Sequence, residues 1–312
     1  MSLFPSYGTV NPVIPVFFFL FGIAIGSFLN VCISRIPEGE SIVSPGSRCP
    51  RCHTPIKPYD NIPVFGWLLL RGKCRSCALP ISPMYPLVEF ATGLLFVLTY
   101  YTSGVSLLSL KWLIFASLMV VLVVTDLRVR ILPDAINWPG LAIGMAFAFP
   151  LPLTDPTASL VYYLLRIHRF PAHPLAFFGV MNAMLGAVMG SMLLWGAALV
   201  YKLLRKQEGM GMGDVKMMAM VGAFLGPRGT FLTILLGTLL GSIIGVSWIG
   251  FLYLYGWNKN LAIRAARRGL GSVNSVRWAI AAQYQLPLGT FLGIGALFVV
   301  YAFPWLLGEL FR

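Results

Sequence analysis

The run VIPVFFFLFGIAIGSFLNVCI, residues 13 to 33, contains no charged residue. A helix of about 20 apolar residues spans the hydrocarbon core of a bilayer. Inside that core every backbone amide must be satisfied within the protein, so only helices or closed barrels cross it. Seven more apolar runs follow, at about 85–103, 110–126, 135–152, 176–201, 214–227, 230–255 and 286–308, the sixth of them short. The expected fold is an all-α polytopic membrane protein with about eight transmembrane helices. Composition agrees: 58% of the residues are hydrophobic, 11% are charged and the mean hydropathy is +0.81, against about 25% charged in a soluble domain. With no basic stretch before it and no small-residue cleavage site after it, the first run is expected to stay in the chain rather than leave as a signal peptide.

The net charge of +13 does not point to nucleic acid, because the basic residues lie in the connections between apolar runs. Placing residues 34–84, 127–134, 202–213 and 256–285 on one face gathers most of them there, where anionic lipid headgroups are the expected partners. The positive-inside rule makes that face cytoplasmic and puts both termini on the other. Three domains are expected: a first transmembrane helix at 1–33, a polar cytoplasmic insertion at 34–84 and a membrane-embedded unit at 85–312. The outer connection at 153–175 contains His168 and His173, which have no third ligand nearby and are expected to face solvent. No sequence repeat is found. Glycines four apart, such as Gly186 and Gly190 or Gly289 and Gly293, are expected to serve close helix packing.

The insertion contains CPRCHTPIKPYDNIPVFGWLLLRGKCRSC. Its Cys49 and Cys52, then Cys74 and Cys77, form two tight pairs suited to a closed tetrahedral zinc site. Disulfides are disfavoured in a reducing cytoplasm. The expected role is structural, since metal-binding energy can replace the core that so short a module lacks. Cys32, inside the first apolar run, is expected to be a packing residue.

Only ten residues are acidic. Asp126 closes the third apolar run and Asp214 opens the sixth, in GMGMGDVKMM, so both are expected near the cytoplasmic membrane surface. A carboxylate at membrane depth is costly and is a functional candidate by default. Asp126 has the simpler alternative of pairing with Arg128 or Arg130, and Asp214 that of capping its helix. Together they suggest more. Two neighbouring carboxylates share a proton, so one can activate water while the other polarises a carbonyl. That is aspartic-protease chemistry. Gly209, Gly211 and Gly213 would let a substrate strand approach closely and can take positive φ. Lys216 either tunes the site's charge or reaches the headgroups. A phosphate loop is disfavoured, because the spacing departs from GxxxxGK[ST] and no strand precedes it. Asp134 is expected to cap a helix. Asp60 lies within the cysteine module and Glu38, Glu40 and Glu89 flank it, where they balance arginines or contact a second substrate.

These residues resemble the bifunctional prepilin peptidases, or type IV leader peptidases, which are membrane aspartic peptidases of the GxGD type. GSFLNVCISRIP (26–37), the two linked cysteine pairs, ISPMYPLVE (81–89), DLRVRILPD (126–134), GMGDVK (211–216) and QLPLGTFLGIGAL occur in that family's order. The resemblance implies a multi-pass enzyme of the bacterial inner membrane. It would cleave the basic leader of type IV prepilins and type II secretion pseudopilins on the cytoplasmic side, then N-methylate the new terminus from S-adenosylmethionine. It also implies that Asp126 and Asp214 are catalytic and that the cysteine module is associated with methylation; Gly211, Gly213 and Lys216 form the loop expected to meet substrate. The outer connection looks longer than usual, and Phe65 and Gly66 depart from the expected pair before Trp67. Two rivals from other classes are a transporter using the aspartates as a proton relay and a nonenzymatic assembly scaffold.

Overall fold

The computed structural model describes residues 12–151, 174–206, 211–254 and 287–302. The expectations for His168 and His173, for Gly209 and for the basic 256–285 connection lie outside them. Among the described residues there is no strand. The helices are α1 (Val13–Arg35), α2 (Phe65–Leu69), α3 (Met84–Ser103), α4 (Leu107–Val129), α5 (Asp134–Ala148), α6 (Pro174–Arg205), α7 (Met212–Leu254) and α8 (Leu288–Tyr301).

Five helices, α1, α3, α4, α6 and α7, are long and apolar enough to cross a membrane, while α8 is a shorter apolar helix. Much of their outer surface stays apolar: Phe17, Leu94, Met192 and Leu239 are each half or more exposed. Such a surface suits hydrocarbon rather than water.

The sequence divides α7 into two segments, and the structure supplies the reason. Gly226 has φ 69° and ψ −179°, and Pro227 follows it. The positive φ suits glycine, and proline cannot donate an amide to the preceding turn. The chain reverses here. The first limb runs beside α5, with Met220 against Gly140 and Phe224 against Gly144. The second limb returns beside α8, where Thr233 and Gly237 lie against Gly295 and Gly241 lies against Phe291. The start of α8 is therefore brought back to the end of the bundle where α7 began.

Local chemistry sets the ends of α4, the helix carrying Asp126. Ser106 and Ser109 form a reciprocal capping box at its start, with N–H to Oγ distances of 3.1 and 3.2 Å, satisfying amides that the first turn leaves free. At its end Arg130 turns left-handed, φ 57°, and its amide donates to the Asp126 carbonyl at 2.9 Å. Pro133 then takes the cap position of α5 in an extended conformation. Asp134 is thus not the cap that the sequence predicts, because it is already the first helical residue.

One core joins α4, α5, α6, α7 and α8 through Phe115, Met119, Leu141, Leu194, Met217, Phe224 and Leu292, while a second joins α1 and α3 to α4 through Leu29, Ile33, Val88 and Val121. Glycine governs the tightest crossing, since a side chain on Gly222 would collide with the Gly186 carbonyl. Lipid provides no hydrophobic drive between helices, so such close backbone contact carries the packing. We predict that Gly222→Leu destabilises the folded protein by about 1–3 kcal/mol or more, whereas Gly250→Leu, with open space at its Cβ position, is neutral. Thermal denaturation of the detergent-solubilised pair checks this.

Candidate active site and cysteine module

Asp126 comes to the site from the last turn of α4 and Asp214 from the first turn of α7. Both are buried, at 6% and 9% exposure. The start of α8 lies between them. A Cβ at Gly289 would sit 3.0 Å from Asp214 Oδ1, 3.1 Å from Asp126 Oδ2 and 2.9 Å from Leu132 Cδ1. The two carboxylate oxygens can therefore be no farther apart than the sum of the first two distances. Gly289 was expected to be a packing residue; its bare Cα leaves the space that both acids face.

Thr290, the next residue, is one that sequence reasoning missed. Its backbone N–H donates to Asp126 Oδ2 at 2.6 Å and its hydroxyl donates to the same oxygen at 2.9 Å. The hydroxyl also lies 3.3 Å from the Val123 carbonyl. QLPLGT held the signal, but a single threonine in an apolar run looks like any other. Asp214 contrasts with Asp126, since its buried Oδ1 has no hydrogen-bond partner among the described residues. Asp214 lies inside the first turn of α7, its amide 3.2 Å from the Gly211 carbonyl. One acid is held by two donors and the other has a free buried oxygen.

Neither Gly211 nor Gly213 has a positive φ, so the conformational freedom expected there is not used. Gly213 instead permits close approach, because a Cβ on it would lie 2.9 Å from Leu132 Cβ. At Gly211 the nearest atom to such a Cβ is Asp214 Oδ2 at 3.8 Å, which leaves the approach to the carboxylate open. Lys216 Nζ donates to both oxygens of Asp134, at 2.7 and 2.9 Å, clamping the start of α7 to the start of α5.

In the insertion all four sulfurs of Cys49, Cys52, Cys74 and Cys77 lie within 4.8 Å of one another. Cys49 to Cys77 and Cys52 to Cys74 each measure 3.9 Å. A disulfide needs about 2.05 Å, whereas thiolates about 2.3 Å from a tetrahedral zinc are separated by about 3.8 Å. The cluster can hold such an ion.

The two knuckles are copies, which corrects the reading of a chain without repeats. RCPRCHTP and KCRSCALP align at one constant offset. Each closes with a bridge, Arg48 to Pro55 and Lys73 to Pro80. The first cysteine amide donates to Thr54 or Leu79, and the residue after the second cysteine, His53 or Ala78, has φ 57° in both. The repeat is too short to stand out without its fold.

Hydrogen bonding with the Thr54 side chain and amide pulls Cys52 down to about 6, and the amides of Cys77 and Ser76 lower Cys74. The Leu79 amide acts on Cys77 in the same sense, but burial and the neighbouring sulfurs outweigh it and hold that thiol at about 11. Four thiols this close cannot all ionise without a cation among them, which fits the metal reading.

Cys49 is the one fully buried apolar side chain in residues 34–84, so the module lacks a hydrophobic core. Arg75 instead donates twice to Asp60, at 2.6 and 2.7 Å, and holds that carboxyl below its usual range. Gly66, noted in the sequence as a departure, is required here: a side chain would collide with the Asp60 carbonyl. Arg35 at the end of α1 donates to the Ser41 and Gly46 carbonyls, tying the module to the membrane helices.

Comparison with known proteins gives a consistent result. A model for the bacterial peptidase A24 N-terminal domain matches residues 20–103, and one for the type IV leader peptidase family matches residues 113–246. The chain is 37% identical over 245 residues to a Klebsiella pneumoniae protein named prepilin leader peptidase/N-methyltransferase, covering 76% of this chain and 97% of that one. It has the same identity to the Myxococcus xanthus (strain DK1622) protein of that name, covering 78% of this chain but 65% of that longer one. The Neisseria gonorrhoeae protein of that name is 33% identical over 249 residues, covering 72% of this chain and 79% of the relative. No solved structure matches. Nothing in these matches supports a transporter. The chain belongs to the type IV leader peptidase family.

Proposed function

We propose that this protein cleaves the leader of prepilins and pseudopilins at the cytoplasmic face of a bacterial inner membrane and N-methylates the new terminus. Asp126 and Asp214 form the hydrolytic dyad. The observation that carries this reading is the shared space at Gly289, within 3.0 and 3.1 Å of an oxygen of each acid. Substrate recognition follows from position. A basic leader joined to an apolar helix halts with its junction at the membrane surface, where both acids lie.

The asymmetry of the acids assigns their roles. Thr290 gives two hydrogen bonds to Asp126 Oδ2, and donors of this kind favour the ionised carboxylate. Asp126 is then the base that takes a proton from water. Asp214, whose Oδ1 is free, carries the shared proton and donates it toward the scissile carbonyl as water adds. Collapse of the tetrahedral diol releases the new amine, with the proton returned from Asp126. Gly211 and Gly213 admit the extended substrate backbone, and the Lys216–Asp134 pair holds their loop against α5. Burial of the dyad keeps the competing solvent shell small.

The division of labour is between residues 34–84, which carry the structural zinc and serve methylation, and residues 85–312, which carry proteolysis. Zinc at Cys49, Cys52, Cys74 and Cys77 would supply folding energy rather than chemistry, because four thiolates leave no open position. S-adenosylmethionine supplies the methyl group.

Asp126→Asn and Asp214→Asn are each expected to lower cleavage of a prepilin by a factor of about 10⁴ or more, with insertion and thermal stability retained. Mature pilin on an immunoblot checks it, and near-normal processing by either variant would falsify the dyad. For the module, elemental analysis is expected to find one zinc per chain, lost in a Cys49→Ser, Cys52→Ser double variant. That variant should lose N-methylation of the first pilin residue more than cleavage, as read by mass spectrometry; unchanged methylation counts against the module's role.

A further inference from the structure

A cavity of about 500 Å³ lies between the cysteine module and the membrane helices, walled by the end of α1, the start of α3 and the inner side of the module. That is within the usual size range of ligand clefts, about 300–1,000 Å³. Neither aspartate is in its walls, so it is not the hydrolytic cleft. Arg128 and Val129 are, however, two and three residues after Asp126 on α4. At about 1.5 Å per helical residue these wall residues lie about 3–4.5 Å along the helix axis from Asp126.

Its walls carry both signs of charge, Arg35, Arg48, Lys57, Arg75 and Arg128 with Glu38, Glu40, Asp60 and Glu89, which suits a zwitterion. Glu89 lines it and is 8% exposed, yet none of the ion pairs among the described residues involves it. A buried carboxylate without a cationic partner is costly and calls for one. Glu89 Oε2 accepts the Val64 amide at 2.7 Å, and Val64 sits at φ 64°. A β-branched residue in that region is a genuine outlier, of the kind that persists at ligand clamps. Trp67 and Tyr85 add aromatic walls, and Arg128 adds a guanidinium on the side nearer the dyad.

We propose that this cavity binds the methyl donor, a sulfonium nucleoside bearing an amino-acid tail, with Glu89 facing its positive charge and Arg128 facing its carboxylate. The proposal rests on the N-methyltransferase reading above. The acceptor is the amine freed at the dyad, and the short step along α4 brings it to the donor without release from the enzyme. The ammonium first gives up a proton to water. Its lone pair then forms a bond to the methyl carbon as the C–S bond breaks. The C–S electron pair stays on sulfur, leaving a neutral thioether, and the positive charge passes to the methylated nitrogen, which loses its own proton to solvent.

The test uses the purified full-length enzyme and S-adenosylmethionine labelled in its methyl group, cross-linked by ultraviolet light and mapped by proteolysis. Label is expected within residues 27–89 and should be blocked by the demethylated product of the donor. Glu89→Gln keeps an acceptor for the Val64 amide but removes the charge; it should bind the donor about tenfold more weakly and methylate correspondingly slowly, with prepilin cleavage unchanged as proof of folding. Label confined to residues 174–246, or wild-type donor affinity in Glu89→Gln, overturns the site. If Glu89→Gln fails to fold, the wild-type map alone decides. No transfer at all by wild-type enzyme that still cleaves overturns instead the methyltransferase reading beneath it.

Discussion

Hydrocarbon cannot hydrate a carboxylate, and the rest of the architecture follows from keeping two of them at its edge. Asp126 and Asp214 stand at helix ends, one in the last turn of α4 and the other in the first turn of α7, where a carboxylate costs less than at mid-membrane depth. Bringing them to one space requires a third element, the start of α8. It can enter between them only because Gly289 has no side chain, and it pays its way by supplying the two Thr290 donors that hold Asp126.

The reversal at Gly226 and Pro227 is what delivers α8 to that place. Without it the second limb of α7 could not return beside α8 through Gly237, Gly241 and Gly295, and the ring of elements around the acids would stay open. The same dependence on bare backbone holds at Gly186 and Gly222. In water, apolar side chains would drive these helices together; in lipid, close backbone contact does it. The glycines are thus structural parts of the site even where they are remote from it.

The cysteine module solves a different problem. A module of about fifty residues with one buried apolar side chain cannot fold by burial, and two copied knuckles facing one another replace the core with a cation-sized cluster. Its attachment through Arg35 at one end and through Glu89 and the Val64 amide at the other fixes its inner side over the bundle. A cavity is left between the module and the membrane helices, with Arg128 and Val129 of α4 in its wall.

Much of this was legible in the chain itself. Long uncharged runs determine an all-helical membrane fold, because no other structure satisfies every amide within one segment of hydrocarbon-soluble chain. Scarcity made the acids conspicuous, and cysteine spacing announced the four-sulfur cluster. Chain order alone could not supply proximity. That Asp126 and Asp214 face one space, that Thr290 engages Asp126, and that Asp134 pairs with Lys216 instead of capping its helix all depend on the paths of α5, α7 and α8. Periodicity and composition report how each segment meets its solvent; which side chains then meet one another is decided only when backbones pack closely enough for single glycines to determine the gap.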